Sequence, residues 1–466
     1  MKSSSDGWDD RELERAAKLA TEVRRRAGAD ARVFAVRAPG RVNLIGEHTD
    51  YSGLPVLPVA IDRSIIVVAA ANPNREIELS NADPAWPDRR FAVERSIKPY
   101  PIGDWANYVK AAVQGVIDHF TTRGHHVDWV SGATMVIDGR VPPAAGLSSS
   151  AALTVSTTMA FMAVNLLELE PLETAAMVAR SEQYVGTRTG GMDQAASILG
   201  RRDHALFIEF DPLRVHPVQM PSSAAIVVAD SRQIADKSGK VRAEYNRRVV
   251  ECALAARILG RALKLDNVRI LGDVVRHLDR WNSTELVRAL ESHSPACLGT
   301  NLIEAAAILG ESRSDLDAAL LGTGAHRIAL DQNRPFEILR RARHVFSETE
   351  RVMRAVEALK AGRLREMGEL MNESHRSLVE DFECSTVQLD ELVESARRAG
   401  AFGARLTGAG FGGAIVALSE RSNATEVIAS LARNYYAKLG GAQPPEESCA
   451  VLHAGDGASV IELAVV

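Results

Sequence analysis

The chain has 466 residues, 46% apolar and 25% charged, a composition that supports sizeable cores and excludes a disordered chain or a single small module. Lys and Arg number 55 against 60 Asp and Glu, a formal charge of −5, which excludes the basic footprint of a non-specific nucleic-acid binder. At about 150 residues per domain the length suits two or three domains.

Residues 9–23 read as a polar, helix-periodic segment without the apolar stretch of a secretory signal. The longest apolar runs, residues 64–71 and 224–229, fall far short of the ~18 residues a membrane helix needs. Alternation and β-branching predict strands at 33–37 and 63–71, flanking a polar, glycine-punctuated stretch at 38–51. Helical spacing covers 105–119; a strand at 133–138 enters a Pro/Ala/Gly loop at 141–146; a long apolar helix follows at 148–168, and another at 172–184. After strand candidates at 205–209 and 224–229, helices dominate: 244–263, 337–359, 363–377 and 388–399. Strands at 403–407 and 414–418, a helix at 424–439 and short strands at 450–453 and 459–464 close the chain. Prolines between 212 and 221 mark the expected boundary of an α+β protein with two domains, 1–215 and 216–466. Residues 266–331 match no motif and are expected to be helical decoration at the rim of a cleft. Cys252, Cys297, Cys384 and Cys449 are scattered without a C-x-x-C pair, as reduced thiols of a cytoplasmic protein would be.

Chemistry concentrates first at residues 142–153, PPAAGLSSSAAL. Small residues let backbone N–H groups approach phosphate oxygens, the following helix N-terminus carries about half a positive charge, and serine hydroxyls can donate to phosphate or ligate Mg²⁺. The plain alternative is a serine-capped helix. No Walker A loop and no protein-kinase motif is present, so nucleotide chemistry here needs another architecture. Gly408-Ala-Gly410-Phe-Gly-Gly413 satisfies G-x-G-x-x-G, but the strand-like Ala414-Ile-Val-Ala-Leu418 follows it rather than a helix. A dinucleotide site is therefore rejected in favour of a strand-loop-strand packed on the phosphate loop.

Four blocks carry a resemblance. RAPGRVNLIGEHTDYSGLPVLP (residues 37–58) closely resembles the galactokinase signature, and PPAAGLSSSAAL resembles the second motif of the GHMP small-molecule kinases. GTRTGGMDQAAS (186–197) resembles the segment carrying that family's catalytic aspartate, and RLTGAGFGGAIVAL (405–418) its third motif. WANYVK, EYNRRVVEC and ELMNESH add agreement, so the likeness runs from about residue 30 to 440. It implies the two-domain GHMP kinase fold, with a ribosomal protein S5-like N-terminal domain and a ferredoxin-like C-terminal domain. It also implies transfer of phosphate from ATP to the 1-hydroxyl of D-galactose.

By the same resemblance Asp193 is the catalytic base, with Arg41 beside it to stabilise charge on the phosphoryl group. Gly146, Ser148, Ser149 and Ser150 form the phosphate cradle, Trp105 belongs to the ATP site, and Ser150 and Glu182 hold Mg²⁺. Glu47, His48, Asp50, Gly190 and Tyr245 contact the sugar, where carboxylates can accept from vicinal hydroxyls. Glu47-His48-x-Asp50 lacks the spacing of a metal site, and His119, His125 and His126 read as a helix-end loop. Tyr245 favours galactose, because N-acetylgalactosamine kinases, which the chain also resembles, tend to carry phenylalanine there; N-acetylgalactosamine stays open as the alternative. Ala144 and Ala145 replace common glycines, Gly53-Leu54-Pro55 a Gly-Gly pair, and Ala414 a common cysteine. A non-catalytic galactose sensor would predict broken motifs, and the serine loop, Asp193, Arg41 and Glu182 are intact. No nucleic acid, membrane or obligatory protein partner is implied.

Overall fold

Twelve described strands and fourteen helices, placed by a computed structural model, account for most of residues 7–186, 189–233, 240–293, 300–323, 327–331, 334–440 and 448–464. Cys297 and the Thr187-Arg188 pair lie outside these described residues. The strands are β1 Val33–Asn43, β2 Pro58–Asn72, β3 Glu76–Asn81, β4 Arg89–Ala92, β5 Gly132–Gly139, β6 His204–Glu209, β7 Arg214–Gln219, β8 Ala224–Asp230, β9 Gly403–Thr407, β10 Ala414–Glu420, β11 Cys449–Leu452 and β12 Ser459–Leu463. The helices are α1 Asp10–Ala27, α2 Ala106–Thr121, α3 Ser149–Val164, α4 Pro171–Ser181, α5 Met192–Leu199, α6 Lys240–Ala262, α7 Leu271–Arg276, α8 Ser283–Ser292, α9 Leu302–Leu309, α10 Arg313–Leu321, α11 Ile338–Lys360, α12 Leu364–Glu380, α13 Val387–Arg398 and α14 Ala424–Asn434.

The first sheet has the order β12-β1-β2-β5-β3-β4 and the second β11-β8-β10-β9, while β6 and β7 form a hairpin. β1 runs past its expected end at Arg37, through Pro39-Gly40, to Asn43. Such breakers are tolerated because β12 pairs only with Val33 to Arg37, leaving Pro39 no neighbour on that side that needs its N–H. A register shift against β2 between Pro39 and Arg41 absorbs the irregularity. The proline-rich stretch at 212–221 is largely the β7 half of the hairpin. β12 returns to the first sheet, so the last strand of the chain joins a sheet built mostly from its first third.

α3 is buried nearly all round, as its apolar sequence requires, and lies against the first sheet. It stops at Val164 rather than 168 because the Asn165 side chain turns back onto the Phe161 carbonyl (2.9 Å) and accepts from the Ser131 N–H (2.7 Å). The described part of residues 266–331 is helical as expected: α7 to α10 bury Leu271, Leu290, Leu309 and Leu316 in a second core shared with α6.

α6 is fixed to α11 by charge rather than by apolar contact alone. Glu251, fully buried, accepts from Arg341 Nε at 2.7 Å and Arg247 Nε at 3.2 Å. Removing one partner of such a group strands the others unpaired in low dielectric. Glu251→Ala is expected to lower unfolding free energy by about 3–5 kcal/mol, measured as a drop in the urea midpoint at unchanged m-value.

Candidate active site

A cleft of about 1520 Å³ opens between the first sheet, the α2 and α4 helices and the β9–β10 loop. Its floor is the serine loop. Ala144, Gly146 and Ser148 all have positive φ (56°, 75° and 58°), which curls the backbone around before α3 begins. Gly146 permits this at a point of close approach: a Cβ there would lie 2.6 Å from the Thr407 carbonyl oxygen. The loop after β9 thus packs backbone to backbone on the serine loop, the arrangement expected for the third motif. Ser148, Ser149 and Ser150 line the cleft, with the first turn of α3 at its wall.

Arg41, carried by the irregular end of β1, joins this floor to α5. Its Nε donates to Asp193 Oδ1 and its Nη1 to the Gly146 carbonyl, each at 2.7 Å. Asp193 sits in the first turn of α5, and its other oxygen, Oδ2, accepts from the Ser148 hydroxyl. Three residues predicted to act together, from three separate elements, therefore meet at one carboxylate.

The residues expected at the sugar surround it. Asp50 Oδ2 accepts from the Gly190 N–H at 3.1 Å. Glycine is required at 190 because a Cβ would fall 2.2 Å from the backbone at Asp50 and Tyr51. Burial, with the Asp193 charge nearby, pushes Asp50 up to about 6. Glu47 is buried and doubly engaged within the chain: Oε2 accepts from Arg405 Nη1 at 2.9 Å and Oε1 from the Gly408 N–H at 3.0 Å. Burial pushes Glu47 up to about 7 although Arg405 and Arg41 hold it down. The His48 ring stacks on Phe382 at 4.4 Å between centroids, with Tyr51 and Tyr245 at 6.0 and 5.7 Å. Its Nε2 faces the Ala409 carbonyl, which can only accept, so Nε2 carries the proton and Nδ1 accepts from the Tyr51 hydroxyl, both at 3.2 Å. Burial keeps the imidazole well below its ordinary pKa and neutral. Tyr245, near the start of α6, closes this aromatic group, and burial raises its phenol well above 10.

Trp105 is at the far end of the cleft with Trp86 (6.5 Å) and Tyr100, its indole N–H on the Pro87 carbonyl at 3.2 Å. Glu182 is buried at the end of α4, between Ser181 and Gln183, which both line the cleft. Among the described residues no group of three or more His, Cys, Asp and Glu could hold a metal ion. Of the two residues expected to hold Mg²⁺, Ser150 lines the cleft, whereas Glu182 is buried and is not among its lining residues.

Sequence reasoning missed the layer beneath. Arg405 was inside a quoted motif, yet nothing in its spacing from Glu47 announced their pairing. Glu348 on α11 accepts from the Gly46 N–H (2.9 Å), Ser374 Oγ (2.6 Å) and Arg351 Nε (2.8 Å), and His344 Nε2 donates to the Glu47 carbonyl at 3.1 Å. Only Ser374 carried a signal, as part of ELMNESH. Arg327, Ile328 and Ala329 reach the cleft wall, as expected for a rim built by the unmatched segment.

Comparison with known proteins agrees with this geometry. A galactokinase galactose-binding signature matches residues 24–71, the GHMP kinase N-terminal domain 107–201 and the GHMP kinase C-terminal domain 355–437. The chain is 36% identical over 440 residues to a galactokinase of Dictyostelium discoideum, covering 88% of this chain and 85% of that one. The crystal structure of Lactococcus lactis galactokinase complexed with galactose superposes with a TM-score of 0.70 at 26% identity, over 94% of this chain and 99% of that one. L. major mevalonate kinase, at 18% identity and a TM-score of 0.55 over 91% and 96% of the two chains, shares the fold.

The ion pairs under the site set a pH dependence. Although burial alone would raise it, Glu348 is held down to about 2 by Arg351 and by its other cationic and hydrogen-bonding neighbours. A depressed carboxylate stabilises the fold above its unfolded value near 4.5 and loses that contribution as pH falls toward 2. Glu348→Gln is expected to cost about 3 kcal/mol at pH 7, with the gap to wild type narrowing in denaturation series run from pH 5 down to pH 3.

Proposed function

The chain belongs to the galactokinases, within the GHMP kinases, and on that footing we propose that it transfers the γ-phosphoryl group of ATP to the anomeric hydroxyl of D-galactose, giving α-D-galactose 1-phosphate and ADP. The observation that carries the assignment of roles is the Asp193 carboxylate, held between Arg41 and Ser148 at the cleft. Asp193 orients the sugar hydroxyl and takes its proton as the hydroxyl oxygen attacks the γ-phosphorus, while the β–γ bridging oxygen leaves with ADP. Arg41 stabilises charge on the equatorial phosphoryl oxygens.

Gly146, Ser149 and Ser150 receive the phosphates at the N-terminus of α3, and the aromatic end around Trp105 receives the base. Ser150 and Glu182 hold Mg²⁺, which when bound neutralises phosphate charge. Glu47 and Asp50 keep lone pairs beyond their internal donors and accept from the sugar hydroxyls. His48, Gly190 and Tyr245 shape the sugar pocket, and Tyr245 favours galactose over N-acetylgalactosamine. The division of labour follows the two proposed domains: 1–215 supplies the serine loop, Arg41 and Asp193, and 216–466 closes over them with Tyr245 and the β9–β10 loop. Buried Cys252, Cys384 and Cys449 support work in the cytoplasm, where thiols stay reduced.

Asp193→Asn keeps the shape but removes the base, so kcat in an ADP-release assay with galactose is expected to fall about 10³-fold with nucleotide affinity retained; activity within threefold of wild type would refute the assignment. Tyr245→Phe is expected to lower kcat/KM for galactose about tenfold while leaving that for N-acetylgalactosamine unchanged or raised. A wild-type preference for N-acetylgalactosamine would reverse the substrate assignment.

A further inference from the structure

We propose that Ser148 is a positioning residue that couples the two substrates, its single hydroxyl proton passing from the Asp193 carboxylate to a nucleotide phosphate and so freeing the carboxylate for the sugar hydroxyl. The inference rests on the roles given above to Asp193 and to the serine loop.

The first ground is the use this structure makes of the side chain. Ser148 is the N-cap residue of α3, where serine normally accepts from an N–H of the first turn. It makes no such bond, and its hydroxyl donates instead to Asp193 Oδ2. The first turn of α3 is thus left to the cleft, and the cap is committed to the carboxylate. The second ground is conformational. Ser148 holds a left-handed backbone (φ 58°, ψ 43°), uncommon for a residue with a Cβ, and this turn keeps the hydroxyl on Asp193 while Ser148 still lines the cleft. The third is stoichiometric. A hydroxyl has one proton to donate, so Ser148 cannot donate to Asp193 and to a phosphate oxygen at once.

The exchange needs no bond to form or break beyond hydrogen bonds. A phosphate oxygen takes the Ser148 proton donor, Oδ2 loses one donor, and the anomeric hydroxyl of the sugar replaces it. Arg41 keeps the carboxylate in register throughout, because it holds Oδ1 and the Gly146 carbonyl together (2.7 Å each). Nucleotide binding then raises the affinity for sugar, and by linkage sugar raises the affinity for nucleotide equally.

Calorimetric titration of galactose into the full chain, with and without a non-hydrolysable ATP analogue and Mg²⁺, tests this. Wild type is expected to bind galactose about tenfold more tightly with the analogue present. In Ser148→Ala and Ser148→Gly the ratio is expected to fall below twofold, because the nucleotide-free affinity has risen. The nucleotide-free affinity for galactose is expected to rise in both variants, a change that a merely structural role would not produce. Glycine relieves the positive φ and alanine does not, so agreement between the two variants assigns the effect to the hydroxyl. A wild-type ratio near one, variants that keep the wild-type ratio, or variants whose nucleotide-free affinity fails to rise would each overturn the coupling. Because coupling is read from binding alone, wild type that binds both ligands cooperatively yet releases no ADP would sink the kinase reading and leave the coupling standing.

Discussion

The buried pair between Glu47 and Arg405 is the constraint on which the site depends. Glu47 follows the end of β1 in the first sheet, and Arg405 is on β9 at the edge of the second. A charge pair with both members essentially out of solvent is strongly destabilised if either is moved, so it fixes how the two sheets meet. Arg405 also donates to the Asn43 carbonyl at 3.0 Å, and Glu47 accepts from the Gly408 N–H. One pair therefore anchors the last residue of β1, the loop with His48 and Asp50, and the glycine loop that lies on the serine loop. The interdomain cleft is a result of that anchoring.

Much of this was legible before the structure because the chemistry lies in contiguous motifs. The serine loop, the Arg41 block and the Asp193 segment each carry their function within a dozen or so residues, and local residue type suffices to recognise them. β1 shows the opposite case. Pro39 and Gly40 signal a break, and only the short reach of β12 along β1 explains why the strand continues. Likewise the prolines around β7 read as a domain boundary, and the sequence did not show that they lie on a two-stranded hairpin, both of whose strands are edges that tolerate proline.

The site's inner layer was not legible, for a physical reason. Glu348 supports Gly46 from 302 positions away, and His344 reaches the Glu47 carbonyl across 297. Such partners are chosen by the packing of α11 among α6, α8 and α12 and against the loop after β1, and no periodicity within either segment encodes the pairing. The same holds for the ties on Glu47 and His48. Their residue types suggested a polar, sugar-facing surface, whereas much of their hydrogen-bonding capacity is used to hold their own loop to β9 and the glycine loop.

The return of β12 to the edge of β1 has a bearing on how the chain is made. During synthesis β1 emerges early, but its outer partner, β12, begins only at Ser459. Until then β1 is an open edge with unpaired backbone groups, the feature most prone to pairing with a wrong neighbour. The first sheet, with Arg41 on its irregular strand, is completed only once β12 has been made. The early and late parts of the sequence are thus joined in one sheet, so a fragment ending before Ser459 is expected to leave the β1 edge open to wrong partners.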